Sequence, residues 1–446
     1  MKKSLSIVFV CLLAIGKTVF ASGHLDFTLH KLESGQPGAT VLVVGGIQGD
    51  EPGGFNAASL LVTNYKIRKG NVWVVPNLNF ISIIKRTRGV HGDLNRKFAS
   101  IKRTDPELDT IEKIKAIILN DEVDVILNLH DGSGFYRPHY IDRMHNPRRW
   151  GQSIIIDQER IETERFGNLC GVASQAAANV NNNLYSEEHT YHVKNTRTGM
   201  GDEEMSKTLT YFAIRNLKPA FGVEVSKSFM TPKRVYYHLQ VIESYMDLFG
   251  IEYERGFKLS ESSIRKAIKS DRKLAFYDRR IFLDVADARK LLRYMPFKKG
   301  SEIIFTGSNP LMAIVGSGKS HRVYHGNARL TRIHSQYFEY DSSINSITML
   351  VDSEEKKVNF GEMVDVDKSF LVVPREGYRV NVIGFKKTGV RNESGIPIGK
   401  SDIQKRFSVD KKGRTYRVEV YLKKKFSGMV LVNFGLKSDN RLALGR

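Results

Sequence analysis

The chain has 446 residues, 69 Lys and Arg against 48 Asp and Glu, a formal net charge of +21 and two cysteines. At about 100–200 residues per domain, this length predicts two to four domains, each burying its own core. Intramolecular disulfides are excluded in a processed chain, because Cys11 lies in a leader and Cys170 is then left alone.

The leader comes first. Met1-Lys2-Lys3 precedes an apolar run from Leu5 to Gly16, and small residues at Val19 and Ala21 place a cut ahead of Ser22. A charged start, a short apolar centre and a small-residue site are the marks of a signal peptide over residues 1–21. The run is too short to span a bilayer, which takes about 20 apolar residues, and no later segment does so. Export argues against nucleic acid as the partner of the positive charge. It favours anionic polymers such as cell-wall glycan peptides, or lipid headgroups. The densest basic points, Lys411-Lys412-Gly413-Arg414 and Lys423-Lys424-Lys425, read as solvated strands and turns.

Residues 22–250 alternate strand and helix patterns. Strands are predicted at Thr40–Val44, Asn71–Val75, Val123–Leu129, Ser153–Asp157 and Ala220–Val225. Helices are predicted at Pro52–Val62, Pro106–Leu119, Thr163–Asn179 and Thr231–Leu248. Such alternation predicts a mostly parallel sheet covered by helices. Residues 251–345 turn β-rich, with short apolar runs (Ile303 to Phe305, Leu311 to Val315, Phe338 to Tyr340) between Gly, Asn and Ser, as in a small barrel. Residues 346–446 read as an immunoglobulin-like sandwich, with alternation such as Tyr416-Arg417-Val418-Glu419-Val420-Tyr421. The fold class is thus α/β followed by two smaller all-β domains. Val315-Gly316-Ser317-Gly318-Lys319-Ser320 imitates a nucleotide loop, but Ala313 stands where the first glycine belongs and no helix follows. A turn between strands is expected there.

Two strands deliver polar groups at their carboxyl ends, where open α/β sheets place ligands. The first ends in Val44-Gly45-Gly46-Ile47-Gln48-Gly49-Asp50-Glu51, and the second in Leu129-His130-Asp131-Gly132. Gln48, Glu51 and His130 supply an amide, a carboxylate and an imidazole, a three-ligand metal set with a position left for water. Arg86-Thr87-Arg88 and Gly92-Asp93-Leu94-Asn95-Arg96 follow, and arginines with an asparagine can grip a carboxylate bidentately. Glu224 lies in the apolar run Phe221-Gly222-Val223-Glu224-Val225-Ser226, where a carboxylate is costly unless used or paired.

With these residues in order, the chain resembles the M14 zinc carboxypeptidases. That family has a His-x-x-Glu pair, a later His ligand, an Asn-Arg pair for the substrate's terminal carboxylate and a downstream glutamate base. Gln48-x-x-Glu51, His130, Asn95-Arg96 and Glu224 match in order over the first half of the chain. The resemblance implies one zinc ion on Gln48, Glu51 and His130, with Glu224 as base. It implies substrate binding by Asn95 and Arg96, and carbonyl polarisation by Arg88, with Arg86 in reserve. Gln48 replaces the family's first histidine, and a neutral amide oxygen is a weaker partner for zinc than an imidazole nitrogen. The family's substrate-closing tyrosine has no clear match, although Tyr211 and Thr208 lie in the right stretch.

The glutamine, the leader and the two β-domains together resemble the periplasmic cell-shape-determining D,L-carboxypeptidases of peptidoglycan. The implied reaction removes terminal meso-diaminopimelate from a tripeptide stem and leaves a dipeptide. The substrate partner is then a peptidoglycan stem peptide, and the β-domains offer surfaces for cell-shape proteins. Diaminopimelate brings extra charges that the basic segment Arg137 to Arg149, Asp131 or Asp142 could meet, with Trp150 a contact or core residue. Two alternatives stay open. A non-catalytic peptidoglycan-binding scaffold derived from a peptidase is favoured by Gln48 and opposed by Glu224, Arg96 and His130 together. An acyl-amino-acid deacylase shares strand-end Glu and His, but the leader and β-domains oppose it.

Overall fold

The computed structural model describes residues 19–20, 25–270 and 272–435. The leader expected over residues 1–21 therefore lies outside the described residues, apart from Val19 and Phe20.

Seven strands form the sheet that carries the site: β1 (His30–Glu33), β2 (Thr40–Val44), β3 (Asn71–Val75), β4 (Val125–Gly132), β5 (Ser153–Ile156), β6 (His192–Asn195) and β7 (Ala220–Ser226). Their spatial order is β6-β5-β7-β4-β2-β3-β1. The centre is parallel, from β7 through β4 and β2 to β3. β5 runs antiparallel to β7 and β1 antiparallel to β3, so the sheet is mixed. All of Thr40 to Val44 is buried, as a strand covered on both faces must be, which explains its unbroken apolar run.

Helices α1 (Pro52–Asn64), α2 (Phe80–Lys85), α3 (Leu108–Ile118), α4 (Leu169–Asn181), α5 (Leu209–Arg215) and α6 (Thr231–Leu248) connect these strands. α1 and α4 pack on α6, and α6 covers one face of β7, where Phe221 meets Tyr245 with ring centroids 4.9 Å apart. α5 packs against β7 and β4. The helix expected from Thr163 starts only at Leu169, because the Asn168 side chain accepts from Gly171 N at 3.1 Å and sets the N-terminus there. A further helix, α7 (Glu261–Ser270), falls in the stretch expected to be β-rich, and its buried Ile264 joins the first core.

Two small sheets follow, one built on Lys273–Phe276, Ile281–Asp284 and Ile304–Gly307, the other on Leu291–Lys298, Met312–Ser317, Ser320–His325 and Ala328–Phe338. They share a core around Phe276, Phe297 and Phe305, closed by Tyr421, Phe426, Met429 and Leu431 from the end of the chain. The nucleotide-loop look-alike is the hairpin turn between paired Ser317 and Ser320. Two last four-stranded sheets sandwich Met349, Phe370, Val418 and Val432. The first and middle units meet where Phe55, Phe80 and Ile83 pack on Leu311 and Ala313, with Ser59 Oγ donating to Asn309 Oδ1 at 2.9 Å.

Candidate active site

Strand alternation sorts the polar residues of β4 and β7 between two faces. Asn128 and His130 on β4, and Gly222 and Glu224 on β7, turn to a cleft of about 250 Å³ at the carboxyl ends of the strands. Asp131 turns to the helical face instead. Its carboxylate accepts from Gly53 N at 2.9 Å and pairs with Arg234 at 3.1 Å and His238 at 3.0 Å. This anchors the start of α1, and only a glycine fits at position 53, since a Cβ there would lie 2.2 Å from Asp131 Oδ1.

Gln48, Glu51 and His130 come together in the cleft and are all buried. Gln48 Nε2 donates to both oxygens of Asp93, at 2.9 and 3.0 Å. A carboxylate only accepts, so this contact fixes the amide and leaves Oε1 as the atom available to a ligand. His130 Nδ1 lies 2.9 Å from Glu51 Oε2. Burial opposes protonation of His130, but the Glu51 carboxylate raises its pKa, so the two share a proton. A cation would replace that proton as it bound.

The buried Asn128 Oδ1 tests this donor set, because it has no partner while Asn128 Nδ2 sits 2.8 Å from His130 Nε2. Half a turn of the amide would let Oδ1 accept from Nε2–H, and Nδ1 would then carry its lone pair toward Glu51. With the shared proton gone, Glu51 Oε2 and His130 Nδ1 would offer two lone pairs to one cation, so the residues fit a metal. No group of three His, Cys, Asp or Glu side chains suits a metal among the described residues, and here the amide completes the set.

Glu224 Oε2 is also buried without a hydrogen-bond partner. Burial pushes the Glu224 carboxyl up to about 7, helped by the Glu51 and Asp131 carboxylates and opposed by His130 and Lys227. A carboxyl so placed can take and return a proton near neutral pH. Gly132 gives it room, since a Cβ there would stand 2.6 Å from Oε2.

The two arginines of Arg86-Thr87-Arg88 part company. Arg86 takes a left-handed conformation (φ 58°) at the end of α2 and donates Nε to the Asn327 carbonyl at 2.9 Å, so it is not brought to the cleft. Arg88 lines the cleft and donates Nε to Asp93 at 2.8 Å, leaving its outer nitrogens for a ligand. Asp93 caps the turn Leu94–Arg96 by accepting from Asn95 N at 3.0 Å. Hydrogen bonds from Gln48 and Arg88 hold the Asp93 carboxyl below the usual range despite its burial. Asn95 Oδ1 accepts from Leu209 N at 2.9 Å, and Arg96 donates Nε to Glu204 at 3.1 Å. Both line the cleft.

Residues 1–269 match the family of catalytic domains described as carboxypeptidase controlling helical cell shape, and residues 340–435 match a C-terminal domain of metallo-carboxypeptidase. The solved apo form of the cell shape determinant protein Csd4 from Helicobacter pylori is 37% identical with a TM-score of 0.85, covering 92% of this chain and 100% of the other. The chain belongs to the helical-cell-shape carboxypeptidases. The same Helicobacter protein has been solved with a tripeptide bound, at the same identity, coverage and TM-score. Its mDAP-bound form, described as a D,L-carboxypeptidase, is 38% identical with a TM-score of 0.84, over 89% of this chain and 97% of that one. A search of curated proteins gave no match.

Other candidates fall into structural roles in this carboxypeptidase. Arg137 donates to the carbonyls of Tyr136, Thr190 and Glu188, and Arg149 to that of Arg143. Asp142 accepts from the backbone of Met144 and His145. Trp150 and Thr208 line the cleft, and Thr208 caps α5 by accepting from Tyr211 N at 3.3 Å. Lys227 went unnoticed in the sequence. It lines the cleft, 3.3 Å from Glu51 and 3.1 Å from Asp50, and its only signal is its place three residues past Glu224 on the same strand end.

Proposed function

We propose that this chain is a periplasmic zinc D,L-carboxypeptidase that removes terminal meso-diaminopimelate from peptidoglycan tripeptide stems, leaving dipeptides and so modulating cell shape. The observation that carries this is the convergence of Gln48, Glu51, His130, Arg88, Asn95, Arg96 and Glu224 on one cleft. Family membership and the tripeptide-bound relative support the same substrate class.

A single zinc ion, held by Gln48 Oε1, Glu51 and His130, would supply Lewis acidity at the scissile carbonyl and lower the pKa of water. Its affinity is reduced by the amide ligand. Asn95 and Arg96 bind the substrate's terminal carboxylate, and Arg88 points its outer nitrogens at the carbonyl oxygen to meet developing charge. Glu224 Oε2 takes the proton of the attacking water and returns it to the leaving amine. Lys227 and Asp93 hold Glu51, Gln48 and Arg88 in position. No helix among the described residues is long and apolar enough to cross a membrane. The predicted leader supports export to the periplasm, where the β-domains are available to cell-shape proteins.

The test is to incubate the protein with muramoyl tripeptide, with and without added zinc, and analyse the products by mass spectrometry. Loss of one diaminopimelate is expected. Tripeptide binding without product under every metal condition refutes the assignment and favours a scaffold.

A further inference from the structure

Asp157 is fully buried, yet hydrolysis as proposed above makes no use of it. It sits one residue beyond β5, two residues after Ile155, which lines the cleft opposite Gly222. Two residues along a strand share a face, so the surface carrying Glu224, Gly222 and Ile155 continues to Asp157. Three threonines surround the carboxyl. Oδ1 accepts from Thr198 Oγ1 and, at 3.3 Å, from Thr196 Oγ1. The Thr210 hydroxyl also faces it, while Oδ2 has no hydrogen-bond partner. Thr210 and Thr208 line the cleft, with their hydroxyl oxygens 3.3 Å apart.

A buried carboxylate without a cationic neighbour is costly, and burial raises the pKa of this one. The carboxyl lies behind the floor of the cleft, on the side away from the Gln48 and Glu51 turn. A hydroxyl that donates to Asp157 keeps its lone pairs for the cleft, so the floor offers acceptors backed by negative charge.

We infer that Asp157, acting through the Thr210 hydroxyl, is a positioning residue that selects a terminal residue whose side chain carries an ammonium group. This rests on the substrate orientation proposed above, with the terminal carboxylate on Asn95 and Arg96 and the scissile bond at Glu224. The side chain of the departing residue then extends along the Gly222 and Ile155 floor toward Asp157. Its ammonium donates to the Thr210 oxygen and offsets the buried charge. A neutral side chain of the same length does neither.

The test compares three tripeptides that differ only in the last residue: diaminopimelate, lysine and norleucine. Lysine and norleucine share a four-carbon side chain and differ in the ammonium. The wild-type protein is expected to favour diaminopimelate and lysine over norleucine in kcat/KM. Asp157→Asn is expected to remove about 10- to 100-fold of that preference, the range set by a hydrogen bond to a charged group. The loss falls on KM, with kcat on diaminopimelate tripeptide nearly unchanged. Thr210→Val is expected to act in the same direction, and it carries the test if Asp157→Asn does not fold. An unchanged preference, or an equal loss on all three substrates, overturns this inference while leaving the function intact. No release of any terminal residue by the wild-type protein overturns the function itself, and the inference with it.

Discussion

Asp93 is the residue whose loss should be felt furthest from where it sits. Its carboxylate accepts two bonds from Gln48 Nε2, one from Arg88 Nε at 2.8 Å and one from Asn95 N at 3.0 Å. Asp93→Asn replaces one acceptor oxygen by an amide donor, so it must face either Gln48 Nε2 or Arg88 Nε with donor against donor. A lost hydrogen bond to a charged group costs about 1.5–3 kcal/mol. The Arg88 side chain is 50% exposed, which limits its share of the pair to well under about 1 kcal/mol. A total of about 2–3 kcal/mol corresponds to roughly a hundredfold loss in kcat/KM. Metal affinity should fall about 10- to 100-fold, as it does when a ligand loses its orienting partner. Release of the terminal residue, followed by chromatography across a metal titration, gives the first number. Competition with a chromophoric chelator gives the second. Excess metal should restore the part that runs through Gln48 and leave the Arg88 part unrestored. A variant within twofold of wild type in both measurements refutes the view that Asp93 fixes these two side chains.

Glu224→Gln should bind metal normally and lose about 10²–10⁴-fold in kcat, read by chelator competition and product release. In metal-free protein, the raised Glu224 pKa makes the ionised carboxylate a burden on the fold. Wild-type stability should therefore fall relative to Glu224→Gln as pH rises from the ordinary carboxylate range through about 7, and stay lower above it. Thermal unfolding across pH checks this, and a pH-independent gap would count against it. Gln48→His should tighten zinc binding without a matching gain in rate, since rate also depends on water pKa and geometry. Gly132→Ala should cut kcat and also lower stability, because its Cβ would meet Glu224 Oε2 and Trp150 Cβ at 2.6 Å and the Gly151 backbone nitrogen at 2.7 Å. Circular dichroism with turnover assays separates the two effects.

The strands that carry the site were legible because buried parallel strands are unbroken apolar runs, and β2 and β3 lie where the pattern put them. Gln48, Glu51, His130 and Glu224 stood out because polar groups in or just past such runs are expensive, and Asn95 and Arg96 because Asp93-Leu94-Asn95-Arg96 matches the family's Asn-Arg pair in order. Arg86 and Arg88 could not be ranked from spacing alone. The left-handed turn that ends α2 decides between them, and nothing in Lys85-Arg86-Thr87-Arg88 announces it. Lys227 and Asp157 were hidden for a different reason. Each gains its meaning from neighbours far along the chain, Lys227 from Asp50 and Asp157 from Thr196, Thr198 and Thr210. The long strand Ala328–Phe338 escaped because its charged and polar residues break the apolar signal.

The seam between α1 and the middle unit bears on how the molecule can be dissected. Phe55 is sealed beneath Leu311 and Ala313, one turn along the helix that Glu51 begins. Arg86 ties the far end of α2 to Asn327 across the same boundary. A chain clipped after α7 would bare an aromatic patch on the helix that follows the Gln48 and Glu51 turn. Clumping and proteolysis, rather than unrestrained hydrolysis, should be the fate of such a fragment. The hydrolase is therefore no free-standing cassette, and its β-modules serve as its scaffold before they serve any visitor.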